Sequence, residues 1–298
     1  MLLGGIVMKY RNLGKTNEKL PLIGQGTWTY GENKSESLEE IKALRFGIEN
    51  GLTLIDTAEE YAKGGAERIV AETIKDCRGD IFLTTKVSAK NCSFKGVIEA
   101  AEKSLERLNT TYIDLYLQHW PSKDHPIEET MRAMAYLVDK GLVKYIGVSN
   151  FTPQLMDEAQ AVLGSHVMMC NQVGYHLNDR RVESDVIPYC RKHEVTVMGY
   201  SPFGYAPQFF GGVGFPEQGT KERQILDKIG GKYGATAYQV ALNWILRHED
   251  LITIPKAKNI THIESNLKAL ELTLSDEDLQ LIDAYFPKTN EAMGLVKY

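Results

Sequence analysis

The sequence predicts a (β/α)8 barrel, or TIM barrel, in which helices surround a closed ring of eight parallel strands, preceded by an N-terminal β-hairpin. The first observation is that eight short apolar runs alternate with segments of helical periodicity. The second is that each run is almost continuously apolar, as strands are when helices cover the sheet. The third is the length of 298 residues, which suits one barrel of about 250 residues with additions. We therefore expect residues 1–298 to form a single domain, with an open, doubly wound sheet as the alternative.

The elements follow one another in a regular order. Residues 14–17, Gly-Lys-Thr-Asn, supply the turn of the hairpin. Strands are predicted at 20–28, 52–57, 81–86, 112–118, 144–150, 167–172, 195–200 and 251–256. Helices are predicted at 35–50, 65–77, 94–108 and 127–140, and another begins at Pro153 with Thr152 as its N-cap. No internal repeat, low-complexity tract or linker interrupts this alternation.

One long irregular segment, from Ser201 to Thr220, follows the seventh predicted strand. It contains several glycines and the four phenylalanines Phe203, Phe209, Phe210 and Phe215. A loop of this length inside a compact domain is usually functional. We therefore interpret it as a lid or a binding loop.

Composition and charge disfavour several kinds of partner. The net charge of −5 and the sequence pI of about 5.9 provide no basic field for nucleic acid or an anionic membrane. The apolar start of the chain lacks a basic segment and is soon followed by Lys9 and Arg11, so neither a signal peptide nor a membrane span is expected. The seven histidines show no metal-ligand spacing, and no metal is expected. Reduced, buried thiols in a cytoplasmic protein are expected for Cys77, Cys92, Cys170 and Cys190.

Four chemically active side chains stand at or just beyond the ends of successive predicted strands. Asp56 ends the second strand and Tyr61 lies on the loop beyond it, while Lys86 and His119 end the third and fourth. Strand ends on one face of a barrel converge, so these side chains are expected to meet in one pocket. Tyrosine, with a pKa of about 10, is a poor acid at neutral pH unless a cation stabilises its phenolate. Lys86 could be that cation, Asp56 could hold it, and His119 could orient a carbonyl group, which together suit carbonyl reduction.

The identity, order and spacing of these residues resemble the aldo-keto reductase family, whose catalytic tetrad is Asp, Tyr, Lys and His in this chain order. The resemblance covers nearly the whole chain and implies a catalytic role for Asp56, Tyr61, Lys86 and His119. Each residue alone has a common structural explanation, such as a helix cap or a solvated charge. Their combination at successive strand ends favours catalysis. It implies an NAD(P)H-dependent oxidoreductase that reduces aldehydes and some ketones to alcohols by hydride transfer, with Tyr61 as the general acid.

Three further stretches resemble the cofactor-binding segments of that family. GVSNF at 147–151 and NQ at 171–172 are similar to the segments that bind the nicotinamide carboxamide. GYSPFG at 199–204 is similar to the segment in which an aromatic ring stacks on the nicotinamide and the following backbone holds the pyrophosphate. The resemblance implies these contacts for Ser149, Asn150, Gln172, Tyr200, Ser201, Phe203 and Gly204. A flat apolar ring suits such stacking because it leaves one face of the nicotinamide open for hydride transfer.

Residues 254–256, Ile-Pro-Lys, resemble the family segment that grips the adenosine end of the cofactor and its 2′-phosphate. The chain departs from the family here, because Lys256 precedes Ala257 rather than serine and His262 replaces the arginine common six positions later. Asn266 matches an adenine-contacting asparagine, although serine replaces the glutamate often found before it. Loss of a guanidinium and a hydroxyl weakens the grip on a phosphate dianion. NADP(H) is therefore favoured as cofactor, and NAD(H) remains possible.

Trp28 and Trp120 fall on loops beside the predicted tetrad, at positions that line the substrate pocket in the family. Together with Tyr61, they favour a small-molecule carbonyl substrate that is apolar away from its carbonyl group. One alternative is a non-catalytic or weakly catalytic member of the fold that senses the cofactor, similar to potassium-channel β subunits. Another is a lyase or isomerase with Lys86 as a Schiff-base nucleophile, which the neighbouring Asp56 disfavours. The first strand is not followed by G-x-G-x-x-G, which argues against a Rossmann dehydrogenase. The oligomeric state is left open.

Overall fold

The computed structural model of the chain describes residues 6–205 and 212–294. An antiparallel hairpin comes first, with strand β1 at Tyr10–Asn12 and strand β2 at Lys19–Pro21. Its turn contains Gly14, whose φ of 49° lies in the left-handed region. Glycine adopts this conformation readily because it has no Cβ. The predicted N-terminal hairpin is confirmed.

Eight parallel strands follow, each hydrogen-bonded to its neighbours in chain order. They are β3 (Gln25–Gly26), β4 (Leu54–Asp56), β5 (Phe82–Val87), β6 (Ile113–Gln118), β7 (Val143–Ser149), β8 (Met168–Gly174), β9 (Thr196–Tyr200) and β10 (Leu251–Thr253). The end of the sheet returns to its beginning, because the Thr253 amide donates to the Leu22 carbonyl at 2.9 Å and the Gly24 amide donates to the Thr253 carbonyl at 2.8 Å. These bonds close the sheet into the predicted barrel.

At least one helix follows each barrel strand. The α-helices of the described residues are α1 (Ser37–Glu49), α2 (Gly65–Ile74), α3 (Phe94–Leu108), α4 (Ile127–Asp139), α5 (Pro153–Leu163), α6 (Val186–His193), α7 (Lys221–Tyr233), α8 (Ala237–Ile245), α9 (Ile260–Lys268) and α10 (Asp276–Tyr285). The predicted cap of α5 is confirmed, because the hydroxyl of Thr152 accepts from the Leu155 amide. The apolar strands are thus covered on the outside, as the sequence predicts.

The single first strand predicted over residues 20–28 is wrong in its extent. Lys19–Pro21 belongs to the hairpin, and only Gln25–Gly26 pairs within the barrel. At the barrel end of this segment the backbone is crowded, since a Cβ on Gly26 would lie 2.7 Å from the carbonyl oxygen of Ile254. The chain therefore passes from one sheet to the other within a few residues, which a continuous apolar pattern does not reveal.

Apolar side chains fill the interior of the barrel. Leu13 and Leu20 of the hairpin pack there with Leu54, Phe82, Leu115, Leu117, Cys170, Met198 and Ile252 from the strands. The hairpin also binds the amino-terminal end of β9, where the Gly14 amide donates to the hydroxyl of Thr196 at 2.7 Å. A barrel filled in this way is a packed core, so a functional pocket is expected at the carboxyl ends of the strands.

The loops after β3 and β4 approach each other backbone to backbone. Gly31 has a φ of 74°, and a Cβ at this position would lie 2.6 Å from the carbonyl carbon of Gly65. The Gly31 amide also donates to the buried carboxylate of Glu40 at 3.0 Å. This contact fixes the loop that carries Trp28 against the segment that carries Tyr61.

We expect Gly31→Ala to lower the free energy of unfolding by about 2–4 kcal/mol, from left-handed strain plus steric overlap with a backbone that cannot move aside. Gly141→Ala is the matched control, because Gly141 has a similar φ of 71° but no atom within 4 Å of the added Cβ. It should lose only the strain, about 1–2 kcal/mol. Urea unfolding of both variants measures the difference, and equal losses would contradict the close approach.

Candidate active site

The carboxyl ends of the barrel strands surround one pocket, and the structure brings the four predicted tetrad residues together there. Asp56, Tyr61 and His119 line the pocket, while Lys86 lies beside Asp56, fully buried. The other lining residues are Gly26, Thr27, Trp28, Trp120, Asn150, Gln172, Tyr200, Ser201, Tyr205, Ile254 and Lys256. Both predicted substrate-pocket tryptophans are therefore in the lining.

A buried ion pair joins Asp56 and Lys86. Asp56 lies opposite Thr84 across β4 and β5, and Lys86 is two residues further along on the same face of β5. The Lys86 ammonium donates to Asp56 Oδ2 at 2.7 Å and to the Thr57 carbonyl at 2.8 Å. The second carboxylate oxygen accepts from Gln172 Nε2 at 2.7 Å. Complete burial lowers the pKa of Lys86, and the neighbouring Asp56 charge opposes that shift.

Tyr61 lies close to both the ammonium of Lys86 and the imidazole of His119. The Lys86 nitrogen is 5.1 Å from the centre of the Tyr61 ring, and the His119 ring meets the Tyr61 ring edge to face at 5.7 Å. The two residues after the tyrosine, Ala62 and Lys63, both have left-handed φ values, 48° and 52°. Such strain in two consecutive non-glycine residues is uncommon and clusters at functional sites. It turns the chain directly after Tyr61.

Both the backbone and the side chain of His119 contact neighbouring residues. Its amide donates to the Val87 carbonyl at 2.9 Å, which ties it to the end of β5. Its ring lies beside the Trp120 ring at 5.9 Å, and its Nδ1 lies 3.2 Å from Glu60 Oε2. Burial is the main reason that the pKa of His119 is lowered. Sequence reasoning missed Glu60, although a carboxylate directly before the predicted acid was the available signal.

A hydrogen-bond chain connects the predicted nicotinamide contacts. Ser149 Oγ donates to the Gln172 carbonyl at 2.8 Å, and the side-chain amide of Asn150 donates to Ser149 Oγ at 3.0 Å and to the His119 carbonyl at 3.2 Å. The Tyr200 hydroxyl donates to Asn150 Oδ1 at 2.9 Å. Burial raises the pKa of Tyr200 well above its ordinary value, so this hydroxyl keeps its proton. The structure thus places these four residues in one network beside the tetrad.

The residues predicted to bind the adenosine end and the 2′-phosphate of the cofactor do not all line the pocket. Lys256 lines the pocket, 5.8 Å from the Trp28 ring and 3.4 Å from the hydroxyl of Thr29. His262 and Asn266 lie on α9 and do not line the pocket; the His262 amide donates to its helix cap, and its side chain is exposed. Burial and the charge of nearby Lys258 lower the pKa of Lys256.

The predicted pyrophosphate segment is divided in the same way. Ser201 lines the pocket, whereas Phe203 and Gly204 do not. The Phe203 ring meets the Tyr238 ring of α8 edge to face at 5.4 Å. Tyr205, which sequence reasoning missed, closes this side of the pocket. Within the predicted lid or binding loop, residues 206–211, with Phe209 and Phe210, lie outside the described residues.

Residues 6–205 and 212–294 contain neither a candidate metal site nor a candidate membrane-spanning helix. No group of three or more histidine, cysteine or acidic side chains in these ranges could hold a metal ion. No helix there is long and apolar enough to cross a membrane. The four cysteines are free thiols; Cys92, Cys170 and Cys190 are buried, whereas Cys77 is only half-buried.

Comparison with known proteins agrees with this geometry. Methylglyoxal reductase YeaE of Escherichia coli (strain K12) is 41% identical over 279 residues, which cover 93% of this chain and 95% of the relative. Glyoxal reductase of Bacillus subtilis (strain 168) is 32% identical over 266 residues and 89% of each chain. The crystal structure of an aldo/keto reductase from Klebsiella pneumoniae in complex with NADP and acetate matches with a TM-score of 0.87 and 36% identity, over 98% of this chain and 99% of the other.

A model of a whole protein family also matches this chain. The model of the Aldo/keto reductase family matches residues 22–286, which include every strand of the barrel and the whole pocket lining. The family match thus includes the strand ends that the sequence singles out and that surround the pocket. The chain is an oxidoreductase and belongs to the aldo/keto reductase family.

Proposed function

We propose that this protein reduces small aldehydes and some ketones to alcohols with NADPH. Hydride would go to the carbonyl carbon, and the Tyr61 hydroxyl would give its proton to the carbonyl oxygen. The observation that carries the proposal is the fully buried Lys86 beside the ring of a pocket-lining tyrosine. A fixed cation at this position stabilises the phenolate that remains after proton transfer.

Each tetrad residue has a separate part in this proposal. Tyr61 is the general acid, and Lys86 stabilises its conjugate base. Asp56 keeps Lys86 in place despite burial, because an opposite charge at 2.7 Å favours the charged ammonium. His119, whose ring meets the Tyr61 ring edge to face, orients the carbonyl oxygen. Since hydrogen bonds fix Asp56 and Lys86 on their strands and the rings of Tyr61 and His119 pack against each other, little reorganisation accompanies the reaction.

The residues present fit a nicotinamide cofactor. Two side-chain amides, Asn150 and Gln172, line the pocket; their N–H groups donate within the protein, and their carbonyl oxygens keep lone pairs that can accept from the amino group of a carboxamide. The Tyr200 ring beside them supplies a flat face on which a nicotinamide ring can stack. When bound, the reduced nicotinamide supplies the hydride. The Klebsiella pneumoniae relative binds NADP, which supports the same choice here.

We assign to Lys256 the binding of the cofactor's 2′-phosphate and therefore the preference for NADPH over NADH. Its ammonium has one weak hydrogen bond, to Thr29, and lies at the pocket wall. Lys258 is already neutralised, because its ammonium lies 3.0 Å from Glu36 and 3.1 Å from Glu40. Lys256 is the one lysine or arginine among the described residues that line the pocket, which is less than the usual phosphate grip, so a moderate preference for NADPH over NADH is expected.

The substrate class follows from the residues that line the pocket. The Trp28 and Trp120 indoles form apolar walls beside Tyr61 and His119, the two groups proposed to meet a carbonyl oxygen. The relatives named methylglyoxal reductase and glyoxal reductase support small 2-oxoaldehydes as substrates. Such metabolites are soluble, and we place the reaction in the cytoplasm.

We expect Tyr61→Phe to reduce kcat about 10²- to 10⁴-fold, because it removes only the transferable proton. NADPH binding, followed by fluorescence titration, should not change. Loss of NADPH absorbance with methylglyoxal and with an aromatic aldehyde measures turnover. Full activity in the variant would remove Tyr61 from the acid role. Cofactor binding without turnover in the wild type would favour the cofactor-sensing alternative.

We expect Lys86→Met to abolish turnover and to cost about 3–5 kcal/mol of stability, because the Asp56 carboxylate stays buried without its cation. The double variant Asp56→Asn/Lys86→Met removes both charges and should regain most of the stability without regaining activity. Urea unfolding and turnover are measured on the same samples. Activity in the double variant would show that the pair has only a structural role.

We expect Lys256→Met to weaken NADPH binding about tenfold and to leave NADH binding unchanged, since only the 2′-phosphate loses a charged partner. Lys258→Met is the comparison variant from the same loop and should alter the NADPH to NADH ratio much less. Fluorescence titration with both nucleotides measures the ratios, and thermal unfolding confirms that each variant is folded. Equal loss of NADPH and NADH affinity in Lys256→Met would disprove the assignment.

A further inference from the structure

Glu60 contacts the imidazole of His119 without lining the pocket itself. Its Oε2 lies 3.2 Å from His119 Nδ1, within ion-pair range although not in the geometry of a well-formed hydrogen bond. Its other oxygen accepts from the hydroxyl of Ser88 at 2.7 Å, and Ser88 is itself buried. The carboxylate is therefore anchored beside one nitrogen of the ring, while the ring as a whole faces the pocket.

The charge of Glu60 decides which nitrogen of His119 carries the proton. The contacts with His119 and with the Ser88 hydroxyl lower the pKa of Glu60, so the carboxylate is ionised at neutral pH. An ionised carboxylate only accepts hydrogen bonds. An unprotonated Nδ1 would place a lone pair against that charge, and a buried polar nitrogen without a partner is costly. Nδ1 is buried, so its proton belongs on the side of Glu60.

We propose that Glu60 is a positioning residue that holds His119 as its Nδ1–H tautomer and stabilises its imidazolium form. Nε2 can then donate a hydrogen bond to a substrate carbonyl only when His119 is doubly protonated. This inference rests on the proposed function, because it takes a carbonyl oxygen as the group that meets His119. A small movement of the His119 ring or the Glu60 carboxylate would complete the hydrogen bond from Nδ1–H to Oε2. Such adjustments are common, since catalytic hydrogen bonds often tighten when substrate binds.

The charged groups around His119 act in opposite directions. Burial and the Lys86 ammonium lower the pKa of His119, whereas the carboxylates of Glu60 and Asp56 raise it. Tyr61 meets the ring edge to face and adds no charge in its neutral form. A neutral His119 presents a lone pair at Nε2, which repels a carbonyl oxygen but accepts a hydrogen bond from an alcohol. Acidic conditions therefore favour reduction, and a higher pH favours binding of the alcohol.

The tautomer is tested by nitrogen NMR on the apo protein with ¹⁵N-labelled histidine. The signals of His119 are assigned by their absence in His119→Asn. We expect the neutral form to show a protonated Nδ1 and an unprotonated Nε2, and we expect Glu60→Gln to move the population toward Nε2–H. A wild-type Nε2–H tautomer, or identical spectra for wild type and Glu60→Gln, would overturn the proposal.

The functional consequence is tested by the pH dependence of kcat/KM for carbonyl reduction. Loss of the Glu60 charge destabilises the imidazolium, so the pH above which reduction is lost should fall by about one unit in Glu60→Gln. Glu59→Gln is the matched control. Glu59 accepts from the Ser88 amide at 2.7 Å and from Asn91 at 2.9 Å in the same loop. Its replacement should leave the profile in place, and an equal shift in both variants would contradict a specific role for Glu60.

Ser88→Ala provides a milder version of the same change. It removes the hydroxyl that anchors Glu60 and should shift the pH profile in the same direction as Glu60→Gln, but less. Thermal unfolding shows that each variant is folded. If the wild type reduces no carbonyl, the proposed function fails, whereas the NMR spectra of the apo protein still decide whether Glu60 sets the tautomer.

Discussion

The site depends on one interaction, the ion pair between Asp56 and Lys86 beneath the pocket. Both side chains are almost completely buried, and removing two charges from water costs several kcal/mol for each. Good geometry offsets that cost. The ammonium has two acceptors, Asp56 and the Thr57 carbonyl, and the carboxylate has a second donor in Gln172. Each charged group therefore has two hydrogen-bond partners, and the pair holds the Lys86 ammonium beside Tyr61.

The same pair ties distant parts of the barrel together. Asp56 ends β4 and Lys86 is the second-to-last residue of the adjacent β5, whereas Gln172 comes from β8 and reaches the carboxylate from elsewhere in the ring. The Gln172 carbonyl accepts from Ser149, and that residue leads through Asn150 to the Tyr200 hydroxyl. A continuous set of hydrogen bonds thus links the buried cation to the surface proposed for the nicotinamide. Movement of one member affects the others, so the Lys86 ammonium and the proposed cofactor surface are positioned together.

The sequence predicts what depends on local pattern. Alternating apolar runs and helical segments suffice for the barrel, and the residues that end those runs suffice to bring Asp56, Tyr61 and His119 to one pocket. Tertiary crowding decides the rest. The division of the first strand depends on the return of β10, and the approach of Gly31 to Gly65 joins loops far apart in sequence. Neither contact leaves a periodic signal in the chain.

Glu60 shows why a tetrad does not by itself define the chemistry of a pocket. Its position beside Tyr61 is visible in the sequence, but its contact with His119 exists only in the folded barrel, where the loop after β4 meets the end of β6 and the Ser88 hydroxyl donates to the other carboxylate oxygen. A carboxylate 3.2 Å from Nδ1 acts on the imidazole more strongly than a distant exposed charge, because the separation is short and both side chains are partly shielded from water. In the proposed reaction, the four tetrad residues thus supply the reacting groups, and the proposed role of Glu60 is to determine which nitrogen of His119 is a donor and over what range of pH.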